Sequence, residues 1–99
     1  MIVAFSISPS TTDESGSVSE TVAEVVKVVR ESGLPNETNA MFTNIEGEWD
    51  EVMAVIKRAV DVALARSPRV GLVLKADIRP GHTGELTGKV ERVERLLRD

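Results

Sequence analysis

The chain is expected to be an α+β sandwich of order βαββαβ with one more helix at its C-terminus, its antiparallel sheet covered on one face and open on the other. Three observations support this. Segments of period two at Ile2–Ser8 and Val70–Arg79 bracket two segments whose apolar residues recur at three and four. Turn residues separate all of them. Two helices on a four-stranded sheet cover one face only.

The first strand, Ile2 to Ser8, sets Val3, Phe5 and Ile7 on an apolar face and Ile2, Ala4, Ser6 and Ser8 on a smaller, more polar one, with Pro9 ending it. Ser10 to Gly16 reads as a loop, and Ser17 to Glu20 as a capping box that opens a helix. Val18, Val22, Val25, Val26 and Val29 form its apolar face, and Gly33 followed by Pro35 stops it. So many valines make a weak helix former, so burial must hold this helix. Glu37 to Gly47 is read as two short strands reversing near Met41 to Thr43. Trp49, Val52, Met53, Ile56, Val60, Ala63 and Leu64 trace a second amphipathic helix, ended by Ser67-Pro68. Trp49 at its start is expected to act as a staple or core residue.

The last strand separates two unlike faces. Val70, Leu72, Leu74, Ala76 and Ile78 make an ordinary core face; Val73, Lys75, Asp77 and Arg79 point to the open side, beside Ala4, Ser6 and Ser8. An ammonium, a carboxylate and a guanidinium in a row can grip a polar ligand or a partner subunit. They can also simply pair, Asp77 lying between two cations at i−2 and i+2. Pro80 to Gly84 is a turn, and Leu86, Val90, Val93 and Leu97 form a narrow stripe on a charged final helix, suited to docking on a surface. This order is the split βαβ arrangement of the ferredoxin-like fold with an added C-terminal helix.

Composition limits the function. The 99 residues are expected to form one domain, residues 1–99, small enough that oligomerisation is a natural source of further stability. With no cysteine there is no disulfide framework, thiolate zinc site or cysteine nucleophile, and a reducing compartment fits. No basic leader or membrane-length apolar run is seen, so the chain is expected to be cytoplasmic and to have no membrane partner. A net charge of −4 without charge blocks, and only one Trp and two Phe, give no footprint for nucleic acid.

The motifs that suggest chemistry fail on inspection. Gly81 to Lys89 superficially resembles a phosphate loop, but Thr83 stands where a glycine is required and Val90 where a magnesium-binding hydroxyl is required. His82 is the only histidine and has no companion for a metal. Glu46, Glu48, Asp50 and Glu51 are explained by the dipole of the second helix. Ser6, Ser8, Thr11 and Thr12 lack an evident base. Neither a cofactor, a metal nor a catalytic residue is expected.

Several separated pieces nevertheless share one pattern: Ile2 to Pro9, Ser17-Val18-Ser19 before Val22-Ala23, Glu31-Ser32-Gly33-Leu34, Met41 with Thr43, Ile45-Glu46-Gly47, Asp50-Glu51-Val52, Lys75 with Asp77 and Arg79, and Gly88-Lys89-Val90. Together they resemble the thiamine-binding, YqgV-like family of small proteins. The resemblance implies a ferredoxin-like subunit whose open sheet face packs on a second copy, dimers pairing into a homotetramer, and a non-enzymatic binder of thiamine or its aminopyrimidine moiety at or near a subunit interface. It implies ligand contacts from Ser6, Ser8, Asn39, Met41, Thr43, Lys75, Asp77 and Arg79, with Asp77 beside the cationic thiazolium. Two departures stand out. Asn39-Ala40-Met41-Phe42-Thr43 replaces the family's Thr-Pro-Met-Gly-Thr, so Phe42 should reshape a pocket near the hairpin, and Asp77-Ile78 replaces two aspartates. Two other readings fit the residues: an enzyme using the open face of a ferredoxin-like dimer, and a structural or regulatory interaction module without a ligand.

Overall fold

The computed structural model describes residues 1–10 and 19–98. Its elements are β1 (Ile2–Pro9), α1 (Ser19–Glu31), β2 (Asn36–Thr38), β3 (Thr43–Glu46), α2 (Trp49–Leu64), β4 (Val70–Asp77) and α3 (Glu85–Arg98). The strands form one sheet of order β2-β3-β1-β4, every neighbouring pair antiparallel. This is the ferredoxin-like arrangement expected from the order of periods. The capping box at Ser17 and the hydroxyls of Thr11 and Thr12 lie outside the described residues.

Val3 and Phe5 of β1 and Ile45 of β3 meet Val25 and Val29 of α1 and Val52, Val55, Ile56, Ala59 and Ala63 of α2 in one buried cluster. Each Val, Ile and Phe side chain of this cluster, fully removed from water, contributes about 1.5–3 kcal/mol. This burial overrides the poor helix propensity of the valine-rich α1. At its end the Ser32 hydroxyl donates to the Val29 carbonyl at 2.6 Å, and Gly33 takes φ of 80°, a conformation that side chains resist. Gly81 and Gly84, also at positive φ, turn the chain from β4 into α3, the bland alternative to a phosphate loop.

Register confirms the two faces of the sheet. Ile2, Ala4, Ser6 and Ser8 pair with Asp77, Lys75, Val73 and Gly71 on the side away from α1 and α2. Four local expectations need correction. The inward face of β4 is not core: Leu72 and Leu74 stay 43% and 36% exposed, Ala76 and Ile78 are exposed, and only Val70 packs against the cluster. The helices converge on β1 and β3, and an edge strand lies beyond their cover. The strand ends at Asp77, leaving Arg79 in the turn that follows. The hairpin reverses over residues 39–42, with Thr43 already in β3. Trp49 is 56% exposed, so it is no core residue; α2 starts instead on Glu48, whose backbone N–H donates to the Glu51 carboxylate at 3.1 Å.

Candidate functional site

β1 is longer than β3. Only Ile2 to Phe5 pair with β3, so from Ser6 to Ser8 the strand runs past the β2–β3 hairpin with β4 on one edge and no strand neighbour on the other among the described residues. This offset creates a notch, and α1 closes its back. The result is a cleft of about 320 Å³ walled by Phe5, Ile7, Val22, Val25, Val26 and Phe42, with Ser6, Ser8, Thr38, Asn39 and Thr43 as its polar lining residues. Small-ligand pockets are typically of this kind, apolar with a few convergent polar groups. None of the described residues lining it is ionisable.

The rim is shaped by Asn39. Its side-chain oxygen accepts the backbone N–H groups of Met41 and Phe42, both at 2.9 Å, and its own N–H donates to the Phe42 carbonyl. This Asx-type turn is why the chain reverses there. It also engages the side-chain oxygen of a residue expected to contact a ligand, and the side-chain NH₂ takes no part in the turn. Thr38 and Thr43 face each other across the hairpin with hydroxyl oxygens 3.4 Å apart, and Met41 stands well exposed at the tip.

The predicted ligand contacts therefore fall into two groups. Ser6, Ser8, Asn39, Met41 and Thr43 come together around the cleft. Lys75, Asp77 and Arg79 are not among the residues lining it: Asp77 pairs with Ile2, three residues from Phe5 and six from Ser8, or about 10 to 20 Å along the strand. At that distant end Asp77 is ion-paired not with Lys75 or Arg79 but with Lys89 of α3. The hydrogen bond from Lys89, then its charge, with Arg79 adding to it, hold the Asp77 carboxyl below its ordinary range. Glu85 is lowered likewise, first by the hydrogen bond from Arg92 at 2.7 Å and then by the charges of Arg92, Arg79 and His82.

Glu46 completes this second group. Only 6% exposed, it lies on the open face at the end of β3, and its two carboxylate oxygens accept the N–H groups of Glu85 and Leu86 at 3.0 and 3.1 Å. A carboxylate on the positive end of a helix satisfies two donors that the helix itself cannot. Glu46 thus serves α3 rather than α2, beside which it stands in sequence. Proximity along the chain pointed to the wrong helix, and no local signal marks a cap supplied by a strand. The walls from α1 were equally hidden, because Val22 and Val26 read as core positions.

A family model for thiamine-binding protein matches residues 3–94. The chain belongs to that family. The resemblance carried by its separated motifs is thereby correct over nearly its whole length. Among relatives, the UPF0045 protein Mb1933 of Mycobacterium bovis is 55% identical over 98 residues, spanning 98% of this chain and 94% of the relative. Among solved structures, hypothetical protein MJ1052 of Methanocaldococcus jannaschii superposes with a TM-score of 0.82 at 31% identity, covering 94% of each chain. A domain of unknown function DUF77 from Bacillus cereus gives a TM-score of 0.82 at 30% identity, covering 92% of this chain and 86% of that one. The family fold is thus shared by these structures. No described helix is long and apolar enough to cross a membrane, and no group of three or more potential metal-ligating side chains occurs among the described residues.

Proposed function

We propose that the protein is a non-catalytic, cytoplasmic binder of thiamine or its aminopyrimidine moiety, that the ring enters the cleft at the notch in β1, and that the chain works as a homo-oligomer, a dimer of dimers. The neutral, half-apolar cleft is the observation that carries this reading. An aminopyrimidine is flat, apolar on its faces and lined at its edge with donors and acceptors. Phe5 and Phe42 offer apolar walls and Met41 polarizable packing. Ser6, Ser8 and Thr43 offer hydroxyls that both donate and accept, and Asn39 retains its NH₂. The free edge of β1 beside them adds backbone groups of the same kind.

The charged end of β4 takes no part in holding the ring. Asp77, about 10 to 20 Å along the strand from the cleft's β1 residues and already paired with Lys89, is not taken as the counter-ion of a thiazolium in this cleft. Lys75, Asp77 and Arg79 belong instead to the contact between subunits, and the thiazolium lies toward the mouth, in solvent. That the cleft holds hydroxyls without a described base favours binding over turnover.

Calorimetric titration of the full chain with thiamine, its aminopyrimidine fragment and thiamine phosphate tests this. Saturable heat is expected with thiamine and the fragment, weakened about five- to tenfold in Ser6→Ala and Ser8→Ala, since a hydrogen bond is worth about 1 kcal/mol. Asp77→Ala should bind as the wild type does. Absence of heat with all three compounds, or loss of binding only in Asp77→Ala, would sink the reading.

A further inference from the structure

We infer that the groove along α1 beside the cleft is a second subsite, in which Lys27 and Arg30 receive a phosphate ester carried by the ring that the cleft binds. The inference rests on the proposed function and deepens it, since it names the ligand class as a phosphorylated aminopyrimidine compound rather than the bare ring.

The cleft continues past α1. Val22, Val26 and Thr38, which line it, also line a groove of about 690 Å³ that runs along the exposed face of the helix, over Ala23, to Lys27 and Arg30. The two spaces share a wall, and the second has more than twice the volume of the first. A substituent that leaves the cleft past Val22 and Val26 therefore passes into the groove.

Helix geometry sets what that substituent meets. Ala23 and Lys27 are four residues apart, as are Val26 and Arg30, so each cation stands one turn, about 6 Å, beyond an apolar residue of the groove. Arg30 is about 12 Å along the axis from Val22. The order is a neutral cleft, an apolar floor and then two cations, all open to water beyond Val26. Two esters fit this order. The aminopyrimidine's own phosphate ester sets its phosphate one turn from the ring, and thiamine phosphate lays its thiazolium over Ala23 and Val26 with its phosphate farther along.

The helix dipole accounts for one of the two cations and not the other. Arg30 lies in the last turn, where a positive charge meets the negative end of the dipole. Lys27 lies before that turn, and neither residue is in an ion pair among the described residues. Glu31 also lines the groove, so its charge remains positive by one. A phosphate monoester, with nearly two negative charges and three acceptor oxygens, can engage both cations at once, the guanidinium through two parallel N–H groups.

Calorimetric titration of the full chain with the aminopyrimidine fragment, its phosphate ester, thiamine and thiamine phosphate tests the inference. At least one ester should bind about five- to tenfold tighter than its unphosphorylated counterpart, the scale of two exposed ion pairs, and should lose that gain at high salt. Which ester gains tells whether the phosphate sits close to the ring or farther along the helix. In the double variant Lys27→Ala, Arg30→Ala, which alters only exposed positions, the gain should vanish. The unphosphorylated compounds should bind this variant as they bind the wild type, which also reports that it is folded. Esters no tighter than their counterparts, or a gain that the double variant keeps, overturn the subsite and leave the proposed function standing. No binding of any of the four compounds overturns both.

Discussion

α2 and α3 are both amphipathic and nearly equal in length, 16 and 14 residues, yet α2 buries Val52, Val55, Ile56, Ala59 and Ala63 while α3 buries nothing. The difference is one of partners, not of pattern. α2 lies over β1 and β3, where its stripe completes the core. α3 is tied to the same sheet by polar contacts at its first turns, on the opposite face. A period of three and four therefore states that a helix needs an apolar surface, and the sheet topology decides whether the chain itself provides one.

The largest break in this comparison comes from truncating one residue in each helix. Ile56→Ala should cost about 2–5 kcal/mol, since it empties a fully packed site. Val93→Ala in dilute, unassembled protein should fall within about 0.5 kcal/mol, as exposed positions do. Thermal or urea denaturation of both variants measures the contrast; equal losses would mean that α3 is packed after all.

A smaller effect is expected at the root. Glu46→Gln keeps the shape but removes the charge from the helix terminus and turns an NH₂ toward one of the two N–H groups. The expected cost is about 1–2 kcal/mol, the usual range for a lost cap. Amide exchange at residues 85–88 should accelerate, while exchange in α2 stays as it was.

The smallest effect follows pH. Asp77 and Glu85 have carboxyls lowered in the folded state, by Lys89 and Arg92 respectively, so their contribution is complete above the unfolded carboxylate range and is lost as pH falls through the lowered values. Below about pH 4, the ordinary carboxylate value, α3 should begin to exchange faster while α2 does not. Lys89→Met should remove most of the Asp77 part of that response, leaving what Arg79 contributes. An acid response that survives in this variant at full size would place its origin elsewhere.

These two helices also mark what was legible in the sequence. Apolar periods gave both helices, and alternation gave β1 and the division of β4 into two faces, because those signals depend on local geometry alone. The exposure of Leu72 and Leu74 was not legible, since alternation identifies a face but not whether anything covers it. Asp77 was matched to Lys75 and Arg79 because they are its near neighbours on one face; Lys89, twelve residues on, reaches it only through the turn at Gly81 and Gly84. The cleft was half legible. Ser6, Ser8, Asn39, Met41 and Thr43 were already named, whereas the notch depends on β1 outlasting β3, a fact of strand register rather than of composition.

Glu46 has a further consequence, in the order of events. It acts on a helix 39 and 40 residues away in the chain, so α3 receives its direction only once β3 has joined the sheet. Long-range contacts of this kind form late, after the loops that separate them have closed. A newly made chain whose sheet is unfinished therefore lacks the cap that sets the direction of α3.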